Sequence, residues 1–187
     1  THIFHQDIAH TASRRGQGPL QADRQLAVDG HGYSPDGAIT AAGTAVTTDA
    51  ALRECLIAGA LCNDASLVKA ARQWTITGDP TEAALLVVAR KGGLDEHTLQ
   101  SLFPRHDELP FDASRQYMAT AHAGDGEQVV YVKGALERVL PRCVEQMSAT
   151  GLPEALASTL VESVAERFAG QGLRVLVLAR RKAAPGT

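Results

Sequence analysis

Apolar side chains fall at three- and four-residue spacing over 50–64, at Leu52, Cys55, Leu56, Gly59 and Cys62. That is one face of an amphipathic helix, and Thr48 and Asp49 before it supply the short polar side chains a helix start favours. Both helical cysteines are predicted to pack in the core. A second helix is predicted from Asp79-Pro80-Thr81-Glu82 through Ala83 and Val88 to Lys91, where Gly92-Gly93 stops it. Pro suits the first helical position because its missing N–H would be unpaired there anyway, and Asp is a strong N-cap. Two further helices are predicted over 135–142 and 153–169, the longer with Leu156, Leu160, Val164 and Phe168 on one stripe and Gly170-Gln171-Gly172 closing it. Runs of β-branched, aromatic or alternating residues predict strands over 74–77, 108–111, 116–123, 127–133 and 173–179. Turns at Asp112-Ala113-Ser114-Arg115 and Gly124-Asp125-Gly126 join the middle three into an antiparallel meander. Gly30, Gly32, Pro35 and Gly37 punctuate 28–37, which reads as strand, turn, strand. Residues 1–25 are read as a leader with one short strand at most and a loop centred on 14–19, and 26–187 as a single domain. Sequential strands with tight turns, and helices arriving in pairs, define the α+β class, an antiparallel sheet covered by helices.

Composition narrows the function classes. At 187 residues the chain is long enough to bury roughly 70% of its unfolded surface. A formal charge of -3, with 44% hydrophobic and 21% charged residues, indicates neither disorder nor a surface that coats nucleic acid. The longest stretch without Asp, Glu, Lys or Arg is the twelve residues 37–48, short of the ~20 apolar residues of a membrane helix. Cys55, Cys62 and Cys143 show no metal spacing, so a reducing compartment is expected. The phosphate-binding signatures G-x-x-x-x-G-K-[ST] and G-x-G-x-x-G are absent, as are G-x-S-x-G, H-E-x-x-H and C-x-x-C. His2, His5 and His10 with Asp7 are the one candidate metal cluster, on a loose terminus; no metal site is assigned there.

Separated segments carry the remaining signal. They are Gly78-Asp79-Pro80-Thr81-Glu82-Ala83-Ala84-Leu85, then Glu108-Leu109-Pro110-Phe111-Asp112 with Arg115 and Met118, then Val132-Lys133-Gly134-Ala135, and Gly172-Leu173-Arg174-Val175-Leu176. In this order and spacing they resemble the nucleotide-binding (N) domain of P-type cation-transporting ATPases, in the branch that includes calcium, sodium/potassium and magnesium pumps. Val28-x-Gly30-x-Gly32-Tyr33-x-Pro35-x-Gly37 and Leu61-Cys62-Asn63-Asp64-Ala65 fit the same pattern, so the resemblance covers 26–180. It implies a twisted antiparallel β-sheet flanked by helical hairpins.

Each residue of these segments also has a plain reading. An exposed face of Phe111 suits stacking on adenine, worth about 1–3 kcal/mol per base in other proteins; a core Phe is the ordinary alternative. The resemblance makes it the adenine platform. Lys133 precedes Gly134, whose missing side chain lets another group approach the backbone; the resemblance sets this Lys at the inner end of the adenine pocket, and the ordinary alternative is a solvated Lys. Glu82, third after the Asp79 cap, completes a capping box and favours the helix dipole. The resemblance has the same carboxylate accept from the adenine amino group, with Thr81 close by, and both roles require it to point into the pocket. Arg174 is read as projecting outward from a strand, where the resemblance gives it ribose or phosphate oxygens, with Leu176 beyond it. Two positions depart from the family pattern. Gln116 stands where a Lys is usual, which leaves Arg115 or Arg174 to take phosphate contacts, and Leu136 stands where Pro is usual.

The resemblance implies a cytoplasmic domain of an integral membrane pump. It would bind ATP, with Mg2+ accompanying the nucleotide and ligated mainly elsewhere, and present the γ-phosphate to an Asp in a separate phosphorylation domain. Its partners would be the phosphorylation and actuator domains, with no nucleic acid and no direct membrane contact. The Asp-Lys-Thr-Gly-Thr motif of that chemistry is absent from these residues, so turnover by this chain alone is not expected. The alternatives are a degenerate domain that has lost nucleotide and serves interdomain contacts, an unrelated α+β enzyme and, compatible with the main reading, a regulatory metal-binding segment at the His-containing start.

Overall fold

The computed structural model describes residues 6–10, 24–70, 73–124 and 127–183. Strands β1 (Gln6–His10), β2 (Arg24–Val28), β3 (Ile39–Ala41) and β4 (Thr44–Ala45) form one sheet in sequential order. Helix α1 (Ala50–Leu61), the hairpin β5 (Ser66–Ala70) and β6 (Gln73–Thr77), and helices α2 (Pro80–Lys91) and α3 (Glu96–Leu102) follow. The meander β7 (Arg105–Asp112), β8 (Tyr117–Gly124) and β9 (Glu127–Gly134) leads into α4 (Leu136–Val139), continued by a 3-10 turn over Leu140–Arg142. A hairpin of β10 (Glu145–Met147) and β11 (Pro153–Ala155), helix α5 (Ser158–Gly170) and β12 (Val177–Ala183) complete it. The last strand returns to β9, so the central sheet runs β12-β9-β8-β7, and every described strand pair is antiparallel. The architecture is α+β, as expected.

Alternation along β8 and β9 decides which face of this sheet is covered. Met118, Thr120 and His122 lie opposite Lys133, Tyr131 and Val129, and all six are buried. They belong to an interior that includes Leu52, Leu56, Leu61 and Cys62 from the α1 segment and Leu86 and Val88 from α2. Polar groups on that face are satisfied. His122 bonds Phe103 O through Nδ1 and Thr120 Oγ1 through Nε2, both at 2.9 Å, and burial holds its imidazole below the ordinary pKa. Tyr131 donates to Glu54 Oε1 at 2.9 Å, and Glu54 also pairs with Arg180 at 2.8 Å.

Several expectations are corrected. Cys62 is fully buried, but Cys55 is half-buried. The long helix starts at Ser158 rather than 153, because Pro153–Ala155 pairs with Glu145–Met147 across a turn closed by Gly151 N to Ser148 O at 2.8 Å. Gly151 has φ +83°, a conformation few other residues adopt freely. Leu156 therefore lies off the helix, and the buried stripe reduces to Val164, Ala165 and Phe168. The last strand starts at Val177 rather than 173. Leu173 N is committed to Phe168 O at 3.1 Å in the helix terminus, and β9 ends at Gly134, the partner of Val177, so residues before it face no strand. Gln116 lies in the turn before β8 and not in the strand. The region 28–37 is strand and turn, with pairing resumed at Ile39. The loop over 14–19, His2 and His5 lie outside the described residues.

Candidate functional site

The register collects the predicted positions at one end of the central sheet. Asp112 pairs with Tyr117, Tyr117 with Gly134, and Gly134 with Val177. Phe111, Gln116, Lys133, Gly134 and Leu176 are thus within a residue of these paired positions. The start of α2 meets the same end and carries Glu82.

Local chemistry fixes that helix start. Gly78 has φ +101°, and a Cβ there would come within 2.9 Å of Ala65 Cα, so only glycine lets the chain turn against Ala65. Asp79 Oδ1 accepts from Thr81 N at 2.8 Å and Glu82 N at 3.2 Å. Slight burial raises the Asp79 pKa, but these bonds, the Thr81 hydroxyl and the Arg174 charge outweigh it and hold the carboxyl below its ordinary value. Asn63 spans the end of α1 and the start of α2, donating to Gly59 O and Glu82 O, each at 2.9 Å.

Glu82 does not close a capping box. Its Oε1 meets Lys133 Nζ at 2.8 Å, and its Oε2 accepts from Asp64 N at 3.0 Å. Lys133 is 6% exposed and also donates to Cys62 O at 2.6 Å, which removes the reading of a solvated Lys. A second cation extends the network: Arg105 pairs with Asp64 at 2.7 Å and Glu108 at 2.8 Å, and donates to Asn63 O at 2.6 Å and Leu61 O at 3.1 Å. The Cys62 carbonyl belongs to this network, while its thiol faces the carbonyls of Met118 and Tyr131 and is pushed up in pKa by burial, only partly opposed by the Lys133 charge, so it is no thiolate nucleophile.

Phe111 is 59% exposed, which removes the core reading. Arg115 donates to Pro110 O at 2.8 Å and braces the turn behind it. Gly134 serves packing: a Cβ there would meet Tyr117 Cβ at 2.4 Å and Gln116 O at 2.5 Å, so the space is taken by β8. Arg174, off the strand, reaches Thr81 Oγ1 with Nη1 at 3.4 Å. Leu176 is half-buried. The structure thus joins Glu82 to Lys133, Thr81 to Arg174, Arg115 to the residue before Phe111, and Gln116 to Gly134.

Asn63, Asp64 and Arg105 were not expected as site residues. Asn63-Asp64 directly after an apolar helical run was the available signal, since two short polar side chains at a helix end tend to bond neighbouring backbone; Arg105 left none. A cleft of about 360 Å³ lined by Ser34, Pro35, Asp36, Lys69, Gln73 and Trp74 shares none of these residues. Among the described residues no group of three or more His, Cys, Asp or Glu is placed to hold a metal ion, and no helix is long and apolar enough to cross a membrane.

An α+β domain with a charged, partly buried niche at one sheet end is the class that fold and site define. Residues 51–186 match the family model described as P-type ATPase, cytoplasmic domain N. The chain belongs to this family. It is 41% identical over 165 residues to the cation-transporting ATPase pma1 of Synechocystis, covering 84% of this chain and 18% of that protein. It is 42% identical over 155 residues to the probable cation-transporting ATPase F of Mycobacterium tuberculosis, with 81% and 17% covered. Against the calcium-transporting ATPase of Bacillus subtilis it is 32% identical over 161 residues, with 82% and 18% covered. The chain therefore spans less than a fifth of the length of these relatives.

Proposed function

We propose that this domain binds ATP by its adenosine end and presents the γ-phosphate to an aspartate in a separate domain of a cation pump. The observation that carries the reading is the Lys133–Glu82 pair. An ammonium and a carboxylate, 6% and 15% exposed, meet in one contact at the sheet end that also carries an exposed Phe two strands away. Glu82 retains lone pairs for an exocyclic amine, Lys133 retains a third N–H for a ring nitrogen, and Phe111 offers a face for stacking. These donors and acceptors fit an adenine. Mg2+ would arrive with the polyphosphate and be ligated mainly outside this domain. The domain's contribution is positioning: fixing one end of the nucleotide converts phosphoryl transfer into an effectively intramolecular step once the domains close. The parent protein would be a P-type cation pump; calcium is the cation in the name of the Bacillus subtilis relative and is the one proposed here. The competing reading, a domain that no longer takes nucleotide, has one observation in its favour: Glu82 and Lys133 already satisfy each other.

An ATP titration followed by two-dimensional amide NMR separates the two, with GTP and adenosine as comparators. Shifts confined to the surroundings of Glu82, Phe111, Lys133 and Arg174, with ATP preferred over GTP, are expected. Phe111→Ala should remove them while the rest of the spectrum is kept. A folded domain with no shift at millimolar ATP would establish the competing reading.

A further inference from the structure

We propose that Arg138, oriented by Gln116, is the residue that grips the polyphosphate of the bound nucleotide; this rests on the nucleotide reading above. Gln116 has φ +60°, a left-handed conformation that costs a non-glycine residue on the order of 1 kcal/mol. It is held there from both sides, by Gln116 N to Asp112 O at 2.7 Å and by Ala135 N to Gln116 O at 2.9 Å. The turn is thereby locked to the start of α4, and Gln116 Oε1 accepts from Arg138 Nε at 2.9 Å. That bond engages Nε and leaves the two terminal nitrogens of the guanidinium to other partners. Neither Nη1 nor Nη2 of Arg138 bonds another described residue.

The other cations at this sheet end each have a protein partner. Lys133 is paired with Glu82, and Arg105 with Asp64 and Glu108. Arg115 is bonded to Pro110 O, and Arg174 lies beside Thr81 and the Asp79 charge. Arg142 donates to Arg138 O and stacks over the Tyr117 ring at 5.1 Å, which anchors α4 to the strand end. The nearest acid on the turn, Asp112, is occupied by the Ser114 hydroxyl and the amides of Arg115 and Ser114. Arg138 adds an exposed guanidinium whose Nη1 and Nη2 donors bond no other described residue, in α4 four residues on from Gly134. A planar fork matches the paired oxygens of a phosphate, and its charge adds most where the ligand is an anion. A cation from α4 thus joins Arg115 and Arg174, the phosphate contacts that the sequence offered.

Calorimetric titration of the 187-residue chain with ATP, ADP and adenosine tests this on the native sequence, Arg138→Ala, Gln116→Leu and the double variant Arg138→Ala, Gln116→Lys. The expected pattern is a loss of about tenfold in ATP affinity for Arg138→Ala with adenosine unchanged, as loss of a charge-assisted pair predicts. Gln116→Leu should lose less in the same direction, and Gln116→Lys should restore the preference for ATP in the Arg138→Ala background. The proposal is overturned if Arg138→Ala leaves ATP affinity unchanged, if it weakens adenosine equally, or if the native chain binds adenosine as tightly as ATP; in each case the adenosine-binding reading survives. Absence of binding by all three ligands would remove both.

Discussion

At the C-terminal end of α2, Arg90 donates from Nε to Glu96 Oε2 at 2.7 Å and from Nη2 to Glu96 Oε1 at 2.6 Å. At the N-terminal end of the same helix, Glu82 meets Lys133 through one contact of 2.8 Å. Both pairs are largely withdrawn from solvent, yet they differ in what they leave over. The Arg pair is a two-bond fork with its carboxylate 4% exposed, both oxygens engaged and the guanidinium covered by Trp74 at 4.9 Å. It joins α2 to α3 and has no further use. The Lys pair joins a point charge to a carboxylate whose second oxygen is held by a backbone amide, and hydrogen-bonding capacity remains on both partners. Two ion pairs of equal formal charge therefore differ in form: one is a two-bond fork under an indole, the other a single contact with a lysine N–H to spare.

Breaking the closed pair should have the largest effect. Arg90→Met leaves a buried carboxylate without its partner and is expected to lower unfolding stability by about 3 kcal/mol. In denaturant melts this appears as a lower midpoint at constant slope, with ATP affinity preserved where the domain is folded. Lys133→Met is expected to cost less, about 2 kcal/mol, because Glu82 keeps the Asp64 amide and is nearer solvent, but to abolish ATP binding. Adding Glu82→Gln to Lys133→Met should recover stability and not affinity. Equal recovery of both would mean that the pair is structural like its counterpart.

The smallest effect concerns the cap beneath the open pair. Asp79→Ala should cost about 1 kcal/mol at neutral pH. Because the folded carboxyl lies below its ordinary value of 3.8, the unfolded chain takes up its proton first as pH falls. The cap's contribution is then full well above 3.8, declines as pH drops through that value and vanishes below the folded pKa. The stability gap between native and variant should close over that window. A gap that persists at lower pH would show that the carboxylate charge is not what caps the helix.

The two ends of α2 were unequally legible in the sequence. Asp79-Pro80 and Gly92-Gly93 bracket the helix, and the structure places it at Pro80–Lys91 because such signals act within a few residues. The meander was readable for the same reason. The partner of Glu82 lies 51 residues on and leaves no local trace; it entered through resemblance alone. β5 went unread because only Leu67 of its five residues is buried, which gives no alternation. Helix α3 is seven residues with Glu96 and Leu99 as its buried positions, too short to show a period. Arg174 was misread as a strand residue because Leu173 and Val175 have strand character, whereas the amide of Leu173 is spent on the preceding helix. The bond from Arg138 to Gln116 depends on a backbone angle that composition does not encode.

Trp74 is the one tryptophan of the chain, and it lies against Arg90 with Lys69 at 5.6 Å from the ring. Its position at the Glu96 end of α2 sets it about 12 Å along the helix axis from Glu82. Intrinsic fluorescence of this domain is consequently expected to report on the α2–α3 junction and to follow its melting. Events at the other end of the helix should move it little, so an optical readout of ligand there calls for a dye or a second indole.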